Sequence, residues 1–202
     1  MEFDISQRSV LDAYHLLVGL VVPRPIAWVT TISDKGVVNL APFSFFNLFG
    51  ANPPVVVFSP TLKRDGSKKD TLRNIEVSGE FVIHAATEQH AALINSSNKM
   101  LPQEESEVQW LGVPVVESAR VKPPRLQDAP FALECRMQQI IPVGNGPISA
   151  NLIIGQVVYV HVSDEILDDK GLPDPIKLQS IARLGGEYWS RTTDLFELQR
   201  PM

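Results

Sequence analysis

Four basic side chains fall within seven residues, directly before a stretch with a helical pattern. They are Lys63, Arg64, Lys68 and Lys69. Asp70 and Thr71 follow at the start of the predicted helix. A helix N-terminus presents unpaired N–H groups and the positive end of the helix dipole, so it favours a phosphate or a carboxylate. A solvated loop in which Asp70 only caps the helix fits the same residues, and spacing alone leaves both interpretations open.

A second set of polar residues lies on two predicted strands that flank a turn, within residues 29–47. The set consists of Thr30, Thr31, Asn39, Pro42 and Ser44. Adjacent strands with these groups would supply donors and acceptors to the edge of a flavin, and Pro42 is predicted to break the strand and free backbone groups for a ligand. A hairpin whose polar residues face water fits equally well. The residues alone therefore do not decide between a flavin site and a plain hairpin.

Other kinds of catalytic or metal site find little support. Cys135 lies between Glu134 and Arg136 in an alternating pattern, which predicts a small buried side chain rather than a nucleophile. The paired carboxylates are predicted to be solvated turns: Glu104 and Glu105, Asp164 and Glu165, Asp168 and Asp169. The histidines have no i, i+4 partner, so no metal site is predicted: His15, His84, His90 and His161.

Composition limits the class of protein. The chain has 202 residues, 44% of them hydrophobic and 20% charged, which predicts one packed domain over residues 1–202. A net charge of -5 argues against nucleic acid as a partner. The apolar run at residues 16–22 is far shorter than the roughly 20 residues that a membrane span needs. With one cysteine and no signal peptide, the chain is predicted to be a cytoplasmic protein without membrane contact.

The order of the elements predicts a mainly β fold. Residues 6–18 predict an amphipathic helix with Val10, Tyr14 and Leu17 on one stripe. Two long strands are predicted on either side of a turn near Gly144, and a final strand at residues 194–201. About seven antiparallel strands must hide their edges, which favours closure into a barrel with a few peripheral helices.

Several segments together resemble one known family, the flavin reductase-like family of FMN-binding split barrels, which includes flavoredoxin-like proteins. The similarity runs in order from about residue 20 to the end of the chain. The segments that carry it are RPIAWVTT, NLAPFSFFN, KDTLRNI, LECRM, IIGQVVYVHVSDEIL and IARLGGEYW.

The resemblance implies a split β-barrel homodimer that holds FMN in a groove near the subunit interface. It places Lys69, Asp70 and Thr71 at the phosphate, and Arg183 at the flavin or at a transiently bound NADH or NADPH. The cofactor-binding residues that it implies are Trp28, Thr30, Thr31, Asn39, Leu40, Ala41, Pro42, Ser44, Ser59, Lys69, Asp70, Thr71 and Arg183.

The activity that the resemblance implies is that of an FMN-dependent oxidoreductase. It would reduce flavin with NAD(P)H or pass electrons to an acceptor protein. The alternative is a non-enzymatic FMN-binding electron carrier of the flavoredoxin type. Because the chain lacks a Gly-x-Gly-x-x-Gly segment after a strand, a nicotinamide donor would bind only transiently. No side chain is assigned a catalytic role, because the flavin carries the chemistry.

Overall fold

The computed structural model describes residues 1–103 and 105–201, so Glu104, one half of a predicted carboxylate pair, lies outside the described residues. The helices are α1 (Val10–Leu20), α2 (Asp70–Ser78), α3 (Ala91–Ser96), α4 (Glu107–Leu111) and α5 (Pro175–Leu178). Short 3-10 helices cover Ile5–Gln7, Glu88–His90 and Asp164–Ile166. The strands are β1 (Arg24–Pro25), β2 (Ala27–Ile32), β3 (Val38–Phe43), β4 (Phe46–Ala51), β5 (Pro54–Phe58), β6 (Glu80–His84), β7 (Val115–Val116), β8 (Arg125–Leu126), β9 (Phe131–Val143), β10 (Ala150–Val162), β11 (Ile181–Arg183) and β12 (Trp189–Arg191).

Within the described residues, seven strands form one antiparallel sheet in the order β3-β2-β6-β9-β10-β5-β4. Its two edge strands, β3 and β4, follow each other in the chain, and the sheet curls until their ends approach. The rings of Phe43 and Phe58 lie 5.2 Å apart, and the Ser59 N–H donates to the Phe45 carbonyl over 2.9 Å. The predicted long strands, β9 and β10, are confirmed, and the described residues include no helix suited to crossing a membrane.

The inside of the curled sheet is filled by aromatic and branched side chains. Phe58 and Phe81 are fully buried there, with ring centroids 5.3 Å apart. Gly155 of β10 leaves the space that the Phe81 ring fills, because a Cβ at this position would lie 2.3 Å from that ring. Cys135 is buried in the same cluster, and burial raises the pKa of its thiol. The prediction that Cys135 is a small buried side chain is confirmed.

A second cluster covers the outer face of β2. Trp28 is 1% exposed, and its indole N–H donates to the Ser97 hydroxyl over 3.0 Å. His84 lies behind Trp28 and makes two hydrogen bonds. Its Nδ1–H donates to the Trp28 carbonyl over 2.9 Å, and its Nε2 accepts from the Leu126 N–H over 3.0 Å. Both ring nitrogens are thus used by a neutral imidazole, and burial lowers the pKa of His84 to about 4.

Strand β3 continues through Pro42 without a break. Pro42 pairs with Trp28, and the register with β2 does not shift, so the predicted interruption is wrong. The reason is that β3 is an edge strand. The Leu40 N–H points outward to the Glu107 carboxylate over 3.0 Å, and Pro42, two residues further on, faces the same way. A proline there removes no hydrogen bond from the sheet.

Two predictions about the ends of the chain are also corrected. The first α-helix covers Val10–Leu20 rather than residues 6–18, because the hydroxyl of Ser9 caps it by accepting from the Asp12 N–H over 3.1 Å. Its predicted apolar stripe is exposed instead of packed on the core. Residues 194–201 form no strand, because they pair with none of the sheets in the described part of the chain.

Candidate functional site

A cleft of about 610 Å³ opens where β3 passes into β4. Its walls come from segments far apart in the chain: α1, the β3–β4 connection, the loop after β5, the segment after α3, and the β11–β12 hairpin. Its lining residues are Leu11, Tyr14, Ile26, Pro42, Phe43, Ser44, Phe45, Ser59, Thr61, Leu62, Lys63, Arg64, Asp65, Lys69, Ile94, Asn95, Asn98, Met100, Ile148, Arg183 and Trp189.

The start of α2 lies at one end of this cleft. Lys69 is the N-cap residue, and no side chain caps the first turn, so its N–H groups remain available to a ligand. The Lys69 ammonium lies 5.5 Å from the centroid of the Phe43 ring, and it has no acidic partner among the described residues. Burial lowers the pKa of Lys69, and the nearby charge of Lys63 lowers it further. This end of the cleft therefore favours an anion.

Asp70 plays a different part from its neighbours. Its carboxylate pairs with Arg73 and lies 3.9 Å from the Lys63 ammonium. A carboxylate would repel a phosphate, so the group of Asp70 suited to an anion is its backbone N–H. The same carboxylate lies near Lys63 and offsets part of its charge, so Lys69 is the cation beside the helix start that has no carboxylate partner within the described residues.

The basic segment divides into two groups. Lys63, Arg64 and Lys69 line the cleft. Lys68 instead pairs with Glu76 on the exposed side of α2, with both carboxylate oxygens 2.7 Å from its ammonium. The segment is therefore neither wholly a ligand site nor wholly a solvated loop.

A small chamber of about 50 Å³ adjoins the cleft and shares six lining residues with it, among them Pro42 and Lys69. Its other lining residues that were predicted for the site are Asn39, Ala41, Asp70 and Thr71. The Asn39 amide donates to the Thr71 hydroxyl over 2.9 Å, which leaves the hydroxyl hydrogen of Thr71 free to donate to a ligand.

Glu107 also lines the chamber, and nothing in the sequence marks it. It is 7% exposed, and burial raises the pKa of its carboxyl group. Its oxygen accepts the outward N–H of Leu40. Glu107 therefore ties the edge of β3 to α4 and places a titratable group beside the chamber.

Four predicted residues do not line the cleft or the chamber: Trp28, Thr30, Thr31 and Leu40. All are buried, since β2 is covered on both faces and Leu40 packs in the outer cluster. The Thr31 hydroxyl accepts from the Asn74 amide over 2.9 Å, and Thr30 donates to the Pro124 carbonyl over 2.7 Å. With the Asn39–Thr71 pair, the Thr31–Asn74 pair fixes α2 against β2 and β3, so these hydroxyls position the helix start.

Ser44, Ser59 and Arg183 line the cleft, as does Trp189, which was not predicted. The Ser44 hydroxyl accepts from Arg24, and the Ser59 hydroxyl accepts from the Asn151 N–H over 3.2 Å. Each hydroxyl hydrogen remains able to point into the cleft. The described residues hold no group of three or more side chains suited to a metal ion.

Tyr14 and Phe45 form an aromatic pair on the α1 side of the cleft, with ring centroids 6.4 Å apart. The sequence indicates neither as a site residue. Tyr14 belongs to the predicted apolar stripe, but a periodic pattern does not say which other segment that stripe adjoins.

A family model described as the flavin reductase-like domain matches residues 19–176. The chain belongs to the flavin reductase-like family. Among solved structures, nitrilotriacetate monooxygenase component B from Bacillus cereus is 35% identical, with a TM-score of 0.92 and 98% of each chain covered. The 2-nitrobenzoate 2-nitroreductase NbaA from Pseudomonas fluorescens is 31% identical, with a TM-score of 0.89, covering 100% of this chain and 96% of that one.

A Shewanella frigidimarina protein with a split barrel domain shares the fold at 19% identity, with a TM-score of 0.84 and 100% of both chains covered. The predicted mainly β split barrel with peripheral helices is confirmed. Membership of the flavin reductase-like family and the redox neighbours support a flavin-related redox function, and the chain is an oxidoreductase in this broad sense.

Proposed function

We propose that this protein binds FMN in the cleft and uses NADH or NADPH to reduce it, so that electrons pass to an acceptor molecule or protein. The observation that carries the proposal is Lys69 at the uncapped start of α2, which opens into a cleft lined by aromatic and hydroxyl groups. The two neighbours with at least 31% identity are named as redox enzymes, which supports the same kind of chemistry here.

The cleft fits a phosphorylated ligand better than an uncharged one. The N–H groups of the first turn of α2, the Lys69 ammonium and the Thr71 hydroxyl would hold a phosphate. The charge of Lys63 would attract the phosphate even if Lys63 does not touch it. These groups favour FMN over riboflavin.

The rest of the cleft suits a planar, partly polar ring system. Phe43 and Phe45 supply apolar surface, and Ser44 and Ser59 supply hydroxyl groups. The outward edge of β3 near Pro42 adds backbone carbonyl groups that no strand of the described residues pairs with. Bound FMN supplies the redox chemistry, and the protein orients the ring and limits the access of water. No acid or base from the protein is needed for electron transfer.

The stopped-flow reaction of the FMN-loaded protein with NADH and with NADPH tests the activity. The expected result is loss of oxidised-flavin absorbance with at least one donor, faster than with free FMN. If the absorbance persists with both donors while FMN stays bound, the reductase activity is refuted and an FMN-binding electron carrier remains. A protein that does not bind FMN would refute both.

The proposal includes a homodimer. On α1, Val10, Leu17 and Leu20 are exposed, and on β4 so are Leu48 and Phe49. Large exposed apolar patches are typical of interaction surfaces, and two-fold dimers are the commonest oligomers. Because α1 also supplies one wall of the cleft, a partner on this surface would shield the bound flavin from water.

Light scattering coupled to size exclusion tests the dimer. The expected mass is twice that of the chain at micromolar concentration, and Leu17→Lys is expected to shift it towards the monomer. A monomeric wild-type protein would refute this part of the proposal. We further propose a cytoplasmic location, because Cys135 is a free thiol, as is usual in reducing compartments.

A further inference from the structure

Arg183 and Trp189 form a fixed pair at one wall of the cleft, here called the arginine platform. They lie opposite each other in the β11–β12 hairpin, and the Arg183 guanidinium lies 4.7 Å from the centroid of the Trp189 ring. Nη2 donates to the Gly186 carbonyl over 2.7 Å, which holds the guanidinium in place. Nε and Nη1 have no acceptor among the described residues. The three N–H hydrogens on Nε and Nη1, and the second hydrogen on Nη2, are therefore available at the cleft.

The platform lies at the α1 end of the cleft. Arg24 links the two elements, because its guanidinium donates to the Val21 carbonyl of the α1 C-cap over 2.7 Å and to the Leu184 carbonyl over 2.9 Å. The same guanidinium reaches the Ser44 hydroxyl in the cleft wall. α1 and the hairpin also pack closely, since a Cβ on Gly185 would lie 2.9 Å from the Cα of Gly19. The hairpin that carries the platform therefore packs against the C-terminal end of α1, and both elements line the same cleft.

This end carries positive charge that no carboxylate neutralises. Arg24 donates to carbonyl and hydroxyl oxygens, and neither Arg24 nor Arg183 forms a salt bridge within the described part of the chain. Burial lowers the pKa of Arg24, Tyr14 raises it, and the charge of Arg183 lowers it. The Leu184 carbonyl, which accepts a hydrogen bond from Arg24, belongs to the residue next to Arg183, so the two cations are neighbours. An anion bound beside Arg183 would relieve this repulsion.

The groups around the platform favour a carboxylate on a flat ring. A planar guanidinium matches a carboxylate in geometry, and stacking on an aromatic ring keeps that plane fixed. Tyr14 and Phe45, with Trp189, present aromatic surface at the same end. The phosphate of FMN is expected elsewhere, at Lys69 and the start of α2.

We propose that the arginine platform binds the carboxylate of a planar aromatic acid, which enters the cleft as a second ligand beside FMN. This inference rests on the proposed function, since it names the class of molecule that meets the flavin. Arg183 then recognises the second ligand and is not required to hold the cofactor. The assignment of Arg183 to the flavin or to the nicotinamide is the competing interpretation.

Calorimetric titration of the FMN-loaded protein with benzoate and with benzamide tests the inference. Benzamide has the same shape but no charge. Benzoate is expected to bind at least tenfold more tightly, and Arg183→Gln is expected to weaken benzoate about ten- to a hundredfold, the usual effect of losing a hydrogen bond to a charged group. Arg183→Lys is expected to be intermediate, because it keeps the charge but not the plane. Arg136→Gln, on an exposed arginine outside the cleft, is the matched control.

The FMN affinity of each variant separates this inference from the proposed function. If the inference is right, Arg183→Gln lowers the benzoate affinity by a larger factor than it lowers the FMN affinity or raises the KM for NADH and NADPH. Three results would overturn the inference. They are equal binding of benzoate and benzamide, no measurable binding of benzoate, and an unchanged benzoate affinity in Arg183→Gln. A loss of FMN or nicotinamide affinity in that variant that equals or exceeds its loss of benzoate affinity would also overturn it. Failure of the wild-type protein to bind FMN refutes the proposed function instead, and titration of the flavin-free protein with benzoate still tests the platform.

Discussion

Substitution of Lys69 by methionine tests the anion site at the start of α2. Methionine keeps an unbranched stem over the Phe43 ring, so the change removes the charge with little loss of packing. Lys69 has no carboxylate partner within the described residues, which leaves its whole charge available to a phosphate. A hydrogen bond to a charged group contributes roughly 1.5–3 kcal/mol. FMN is therefore expected to bind about ten- to a hundredfold more weakly to the variant.

Riboflavin, which lacks the phosphate, provides the comparison. Its affinity is expected to change less than about twofold, because the interaction that Lys69 loses is with the phosphate. Quenching of flavin fluorescence in titrations of both ligands measures the two effects. Lys68→Met is the matched control. It removes the same charge one residue away, but Lys68 pairs with Glu76 on the exposed side of α2, so FMN affinity should not change.

The dependence on pH gives an independent measurement. Since burial lowers the pKa of Lys69 in the free protein, the ammonium loses its proton earlier than an exposed lysine would. A bound phosphate favours the charged form, so FMN affinity should be highest below that lowered pKa and should fall as the pH rises through it. The Lys69→Met variant should lack this fall. Equal losses of FMN and riboflavin, or an unchanged FMN affinity, would refute the assignment of the phosphate to Lys69.

Three further predictions concern stability. The pKa of His84 is about 4 in the folded protein and 6.5 in the unfolded chain. Between these pH values the unfolded chain binds more protons than the folded protein. Protonation of His84 should therefore lower the free energy of unfolding by about 2 kcal/mol from pH 7 to pH 5. Urea unfolding should show a smaller fall in His84→Gln, and equal falls would contradict the buried neutral imidazole. Gly155→Ala should lower the free energy of unfolding by about 1–3 kcal/mol, because the methyl group would overlap the Phe81 ring. Gly19→Ala, at the last residue but one of α1 with no atom within 4 Å of the new Cβ, should instead raise the free energy of unfolding by at most about 0.5–1 kcal/mol, and a lower thermal unfolding temperature would contradict this.

Local patterns were sufficient to predict the main elements. The strand patterns predicted β2, β9 and β10, and α2 starts at Asp70, where the sequence predicts a helix start. These properties depend on neighbours in the chain, such as turn residues and the first residues of a helix, and the sequence displays them directly.

The same patterns were misleading where burial depends on distant segments. Thr30 and Thr31 have the polarity of a ligand site, but elements from elsewhere cover both faces of β2 and turn these hydroxyls into internal partners. Pro42 has the local character of a strand break. It is harmless because β3 forms an edge of the sheet, and only the strand order reveals that.

By itself the sequence determined the mainly β class, the helix start at Lys69 and the family to which the chain belongs. The tertiary structure decided which side chains meet at the cleft. Arg183 and Trp189 come from the end of the chain, Tyr14 from its beginning, and Lys69 from between them. Their convergence depends on how the seven-stranded sheet curls and on how α1 packs against the β11–β12 hairpin. Those are long-range contacts, and no local spacing of residues encodes them.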